Sequence, residues 1–117
     1  MLMGDILNSD TLAALRELDE PGSTLFLRDI VTTYLSDSQV RMQAMQEAHR
    51  ASDVATLAKT AHALKGSSLN VGADSFAALL QRIEKDGKAG VLCAAADLAA
   101  AQSLFGRVRD ALKAYVA

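Results

Sequence analysis

Between breaks supplied by glycine, proline and capping residues, the apolar residues of this chain recur at steps of three and four. The clearest run is the last. Leu98, Ala101, Phe105, Val108, Leu112 and Tyr115 form the seam of a helix that faces a bundle, beginning after Gly90. Phe76, Leu79, Leu80 and Ile83 make an i, i+3, i+4, i+7 stripe between a cap at Asp74 or Ser75 and a stop near Gly87. Leu27, Ile30, Val31, Tyr34, Met42, Met45 and Ala48 mark a long helix starting near Ser23, after the Pro21–Gly22 break. Polar Ser36 to Gln39 interrupt that stripe and open the way to a bend. A helix capped by Ser52, with Asp53 behind it, runs to about Val71, where Gly72 can take the left-handed terminating conformation. Leu12, Leu15 and Leu18 mark a short first helix capped by Asn8 or Ser9. Period-two alternation between turns is absent. The pattern predicts an all-α fold: an antiparallel four-helix bundle with an additional short N-terminal helix packed across one end, a single domain over residues 1–117.

Composition agrees and narrows the function. The 22 Ala and 17 Leu, with only 4% aromatic residues and no Trp, are what a helical bundle draws on. A formal charge of −2 argues against nucleic acid as a partner, because a surface that tracks phosphates needs a basic excess. The single Cys93, in the apolar run VLCAAA, reads as a small buried hydrophobe and excludes an intramolecular disulfide. No apolar stretch approaches the roughly 20 residues that span a bilayer, and the start, MLMGD, lacks the pattern of a secretion signal. These features predict a soluble, cytoplasmic protein with no membrane partner, too short for a separate nucleotide-binding domain.

The helix ending near Val71 carries the chemistry. With His62 at zero and an advance of about 100° per residue, Leu57, Leu64 and Val71 fall close to the opposite side. If that side faces the core, His62 points at solvent. Ala55, Ala58, Lys59, Lys65, Gly66 and Leu69 share its side of the helix. An idle helix has little reason for a low, small-residue surface with cations one turn either side of an imidazole. A neutral imidazole nitrogen is a competent nucleophile for phosphoryl groups. The lysines suit charge on a phosphoryl group during transfer, each contributing at most roughly 3 kcal/mol at 6 Å and an effective dielectric near 20. Gly66 costs about 1 kcal/mol against Ala in a helix interior, and its missing side chain suits the approach of another protein's backbone. Leu69 reads as part of an apolar docking patch beside Ala58, Lys59 and Gly66. His49 sits near a helix C-terminus, where the position is favourable for its charged form. With His62 it lacks the third ligand a metal site needs, so no metal is expected.

The segment AHALKGSSLNVGA, from Ala61 to Ala73, closely resembles the signature of histidine-containing phosphotransfer (HPt) domains, H-x-x-K-G-S/A-S/A followed by a Gly and a small residue. The match takes in His62, Lys65, Gly66, Ser67, Ser68, Gly72 and Ala73. The resemblance implies that His62 accepts a phosphoryl group from the aspartyl phosphate of a response-regulator receiver domain and passes it to another receiver. It implies that Lys65 steadies the phosphoryl oxygens and Gly66 gives clearance. Ser68 would pack towards the core, and Gly72 would let the third and fourth helices meet closely. No cofactor is bound by such a chain; the Mg²⁺ of the transfer belongs to the partner receiver. Some relatives carry a Gln 22 residues after the histidine, where this chain has Glu84. A carboxylate there would repel phosphate, and no catalytic role is expected of it; Gln81 does not match the spacing.

Two other classes compete with this phosphocarrier reading, in which receivers or a hybrid sensor histidine kinase are the partners and the chain is a monomer without kinase activity. A histidine-kinase dimerisation fragment also carries its histidine on a helix. That family normally has an acidic residue after the histidine and a Pro four residues on, where this chain has Ala63 and Gly66. A helical scaffold without chemistry leaves Gly66 and the two lysines unexplained.

Overall fold

The computed structural model describes residues 6–117, so the leader reading at Met1 to Asp5 lies outside the described residues. Among the described residues five helices follow one another: α1 (Ser9–Arg16), α2 (Leu25–Arg50), α3 (Val54–Asn70), α4 (Asp74–Lys88) and α5 (Ala95–Val116). There is no strand among the described residues. The long helices α2 to α5 run alternately up and down, and their stripes close one core. Leu27, Val31, Met45, Leu57, Leu64, Phe76, Leu80, Ile83, Val108 and Leu112 are all buried in it, and Phe76 meets Phe105 at 5.7 Å between ring centroids.

Local signals explain where the helices begin and end. Asn8 accepts from the backbone N–H groups of Asp10 and Thr11 and so caps α1. Asp19 caps α2 from seven residues upstream, its two carboxylate oxygens accepting from the N–H groups of Phe26 and Leu27. The cap of α3 is Asp53, whose side chain accepts from Thr56 N–H, rather than Ser52. Ser52 instead occupies the left-handed region at φ 56°, because it is the pivot of the tight turn after Ala51. Neither Asp74 nor Ser75 caps α4. The cap position is Ala73, and Asp74 accepts instead from the side-chain amide of Asn8. Helix α2 runs unbroken through Ser36–Gln39. Ser38 turns inward and is buried, near the Tyr34 hydroxyl, which pairs at 2.7 Å with Ser68 Oγ of α3.

The short α1 lies across the end of the bundle where α3 turns into α4. Asn8 N–H donates to Gly72 C=O at 2.7 Å, and Arg16 stacks over the ring of Tyr115 near the end of α5. Gly72, at φ 79°, ends α3 as expected. Its close approach, however, is to this N-terminal segment and not between α3 and α4: a Cβ there would lie 2.9 Å from Asn8 O. The glycine that lets those two helices meet is Gly87, where a Cβ would lie 2.8 Å from Ala58 Cβ and 3.0 Å from Val54 O. At the other end His49 Nε2 lies 2.8 Å from Cys93 C=O and ties the α4–α5 connection to the end of α2.

The two glycines of the α3–α4 pair should therefore respond oppositely to a methyl group. Gly87→Ala meets backbone that cannot move aside, and overpacking of this kind typically costs about 1–3 kcal/mol, more than the helix-propensity gain of about 1 kcal/mol. Gly66 has open space around its Cβ position, so Gly66→Ala should stabilise by about 0.5–1 kcal/mol. Urea denaturation of both variants checks the contrast.

Candidate functional site

Helices α3 and α4 pack antiparallel in a register that brings Ala58 to Gly87, His62 to Glu84 and Lys65 to Gln81. This register builds the site. The side chain of His62 is 64% exposed, as the helical wheel requires, and its Nδ1 lies 2.8 Å from Glu84 Oε2. Glu84 itself is buried, its side chain only 2% exposed. A carboxylate so placed must keep cations with it, and two are present. Lys88 Nζ lies 2.7 Å from Oε2, and Lys65 Nζ lies 2.7 Å from Oε1. The lysine on the Oε1 side makes an ion pair rather than an aligned hydrogen bond; its hydrogen bond goes to Gln81 Oε1 at 2.6 Å.

These contacts hold the Glu84 carboxyl down at about 2, with the Lys65 ammonium the largest cause, the Lys88 ammonium next, and the His62 contact contributing against the opposing effect of desolvation. An ionised carboxylate only accepts, so the proton of the His62–Glu84 bond sits on Nδ1. In the neutral ring the lone pair is then on Nε2, which has no hydrogen-bond partner among the described residues. A buried acid thus selects the tautomer that presents a nucleophile to solvent.

Burial sorts the other expected residues and corrects two expectations. Lys59 and Gly66 are exposed on the His62 side, and Leu69 is 48% exposed there. Ala58 does not belong to that surface. It is 6% exposed and packed against Gly87, because its position on the wheel, about 40° from His62, turns it towards α4. Ser68 is fully buried, and its hydroxyl is satisfied by Tyr34. Among the described residues no group of three His, Cys, Asp or Glu side chains is placed to hold a metal ion, and no helix is long and apolar enough to cross a membrane.

The second correction is Glu84. Repulsion of phosphate would follow from a bare carboxylate, but this one faces two ammonium groups, so with a neutral ring the cluster carries a net positive charge. The signal was present in α4: Glu84 stands at an inward position of the stripe Phe76, Leu80, Ile83, Gly87, with a lysine four residues on. Gln81, Glu84 and Lys88 join His62 and Lys65.

Acid should expose the Glu84 pairing. The carboxyl sits at about 2 when folded against an ordinary value of 4.5, so the pairing stabilises the fold fully above about pH 4.5. That stabilisation is lost as pH falls towards 2. The urea midpoint of the wild type should therefore fall more steeply between pH 5 and 2.5 than that of Glu84→Gln, in which this group does not titrate.

Comparisons with known proteins cover the helices that build this cluster. The family model of the Hpt domain matches residues 29–117, from the first turns of α2 to the end of α5. Among solved structures, histidine-containing phosphotransfer protein B from Pseudomonas aeruginosa PAO1 superimposes with a TM-score of 0.83 at 30% identity, over 94% of this chain and 93% of that one. No curated protein matches the chain. By the family model and the fold, the chain is a member of the Hpt domain family, a histidine-phosphotransfer intermediate of phosphorelays.

Proposed function

We propose that His62 Nε2 is the phosphoryl acceptor, and that the observation carrying this is the bond from Nδ1 to the buried Glu84 carboxylate. The Nε2 lone pair attacks phosphorus of a receiver's aspartyl phosphate. The acyl P–O bond breaks, its electron pair leaves on the receiver's aspartate, and the N–P bond forms. The ring proton stays on Nδ1, so the imidazole gains positive charge as the bond forms, and Glu84 lies directly against that charge. The reverse sequence on a second receiver discharges the group.

Lys65 is the stabiliser of the phosphoryl oxygens. Its side chain is 19% exposed, and turning outward exchanges a carboxylate oxygen for a phosphoryl oxygen. Lys59, Gly66 and Leu69 form the docking face: a cation, an open stretch of backbone and an apolar side chain around the nucleophile. The Mg²⁺ used in transfer belongs to the receiver, and the chain binds no cofactor of its own. It works as a cytoplasmic monomer without kinase activity, supplied by a receiver or a hybrid sensor kinase. The closed core of four helices from one chain supports the monomeric reading.

Incubation with a phosphorylated receiver and Mg²⁺ should label the chain with an acid-labile, base-stable phosphate, whereas ATP alone should not. Label on His62→Gln would remove His62 from the mechanism. Lys65→Ala should fold normally and accept the group about tenfold more slowly, or about 1.4 kcal/mol in the barrier; stopped-flow or quench-flow labelling reads this directly.

A further inference from the structure

One contact in the cluster is used neither by the family signature nor by the transfer just described. Lys88 Nζ lies 2.7 Å from Glu84 Oε2, the same oxygen that accepts from His62 Nδ1. By sequence it is an ordinary Glu–Lys pair one turn apart, of the kind that exposed helices carry for a few tenths of a kcal/mol. Its setting differs. The carboxylate is out of water while the Lys88 side chain is 67% exposed, so an ammonium on the surface is paired with a buried charge.

The consequence appears when Lys65 moves. In the resting cluster Glu84 has one ammonium at each oxygen. If Lys65 turns to the phosphoryl group before the N–P bond has formed, the ring is still neutral, and a carboxylate with no second cation would be left buried and uncompensated, which is strongly unfavourable. Lys88 prevents that. It comes from α4, on the side away from Lys65, and need not move when the phosphoryl group arrives. By sharing Oε2 with the imidazole it also fixes the corner of the carboxylate that must stay against Nδ1.

We propose that Lys88 is a positioning residue for phosphoryl transfer: it pins Glu84 Oε2 against His62 Nδ1 and keeps the carboxylate neutralised while Lys65 is engaged with the phosphoryl group. The proposal rests on the assignment of His62 as acceptor. It differs from that assignment in making the function of Lys88 depend on Glu84 and not on direct contact with phosphate.

The test uses the full chain carrying Lys88→Ala, Lys88→Arg, Glu84→Gln and the Glu84→Gln/Lys88→Ala combination. Labelling from a phosphorylated receiver with Mg²⁺ gives the rate, and ¹⁵N-edited NMR of the His62 ring gives the population of the Nδ1–H tautomer without any transfer. Lys88→Ala should label about fivefold more slowly, the scale of losing one partly exposed cation, and Lys88→Arg should restore most of the rate. In Lys88→Ala the two ring nitrogen shifts should move towards each other as the tautomer loses its fixed partner. Once Glu84 is Gln, removing Lys88 should change neither readout further. Any one of three results overturns the proposal: a wild-type labelling rate in Lys88→Ala, unmoved ring nitrogen shifts in that variant, or an equal slowing in the Glu84→Gln background. A wild-type chain that takes no label would instead refute the acceptor assignment, and the nitrogen shifts would then decide the positioning role by themselves.

Discussion

A carboxylate removed from water must keep cations and donors within reach, and at Glu84 that requirement organises the whole site. The inward position of Glu84 on α4 draws Lys65 from α3 and Lys88 from its own helix. It also takes the proton side of an imidazole that otherwise stands in solvent. None of the four side chains has its role alone. The histidine gets its tautomer from the acid, the acid gets its ionisation from the lysines, and one lysine is anchored by Gln81. Apolar residues of similar volume would serve a bundle core as well or better; the cluster makes sense as chemistry at a fixed position.

The bundle supplies that fixed position by ordinary means. Both helices of the site are capped at their N-terminal ends or held there by the preceding segment, and their inner faces are filled with Leu, Ile and Phe. Tyr34 and Ser68 add a buried hydroxyl pair that sets α2 against α3, a polar contact specific enough to resist sliding of one helix along the other. The N-terminal segment closes the far end through Asn8 and Gly72. The surface around His62 can consequently be low and open without loosening the core beneath it.

Much of this was legible in the sequence because helix periodicity is a strong, local signal. The stripes of α2 to α5 and the exposure of His62 follow from spacing alone, and Asn8 and Gly72 from cap chemistry. What spacing could not supply was the rotation of one helix against another. Ala58 and Lys65 lie within a narrow arc of the α3 wheel, and only the position of α4 decides that Ala58 is covered while Lys65 reaches the site. The same missing rotation hid Glu84: read by itself it is a charge hostile to phosphate, and the two lysines that change its meaning come from different turns of two helices. Ser52 and Asp53 differ for a smaller reason. Both are good caps, and the tight turn takes the first into the left-handed region, leaving the second to accept from Thr56.

The contact between Gly87 and Ala58 has a meaning beyond packing. It lies one turn from the His62–Glu84 bond in the same antiparallel register, and hydrogen bonds of this kind are confined to a narrow range of donor–acceptor distance. Helix separation at this pinch therefore acts as a gauge block for the active atoms: the absence of one carbon on α4 sets how far a nitrogen on α3 stands from its acid. A chain widened there could keep its helical content and most of its core, yet lose the bond that fixes the ring's tautomer. In this bundle a residue outside the His62–Glu84 pair holds the tolerance to which that pair is machined.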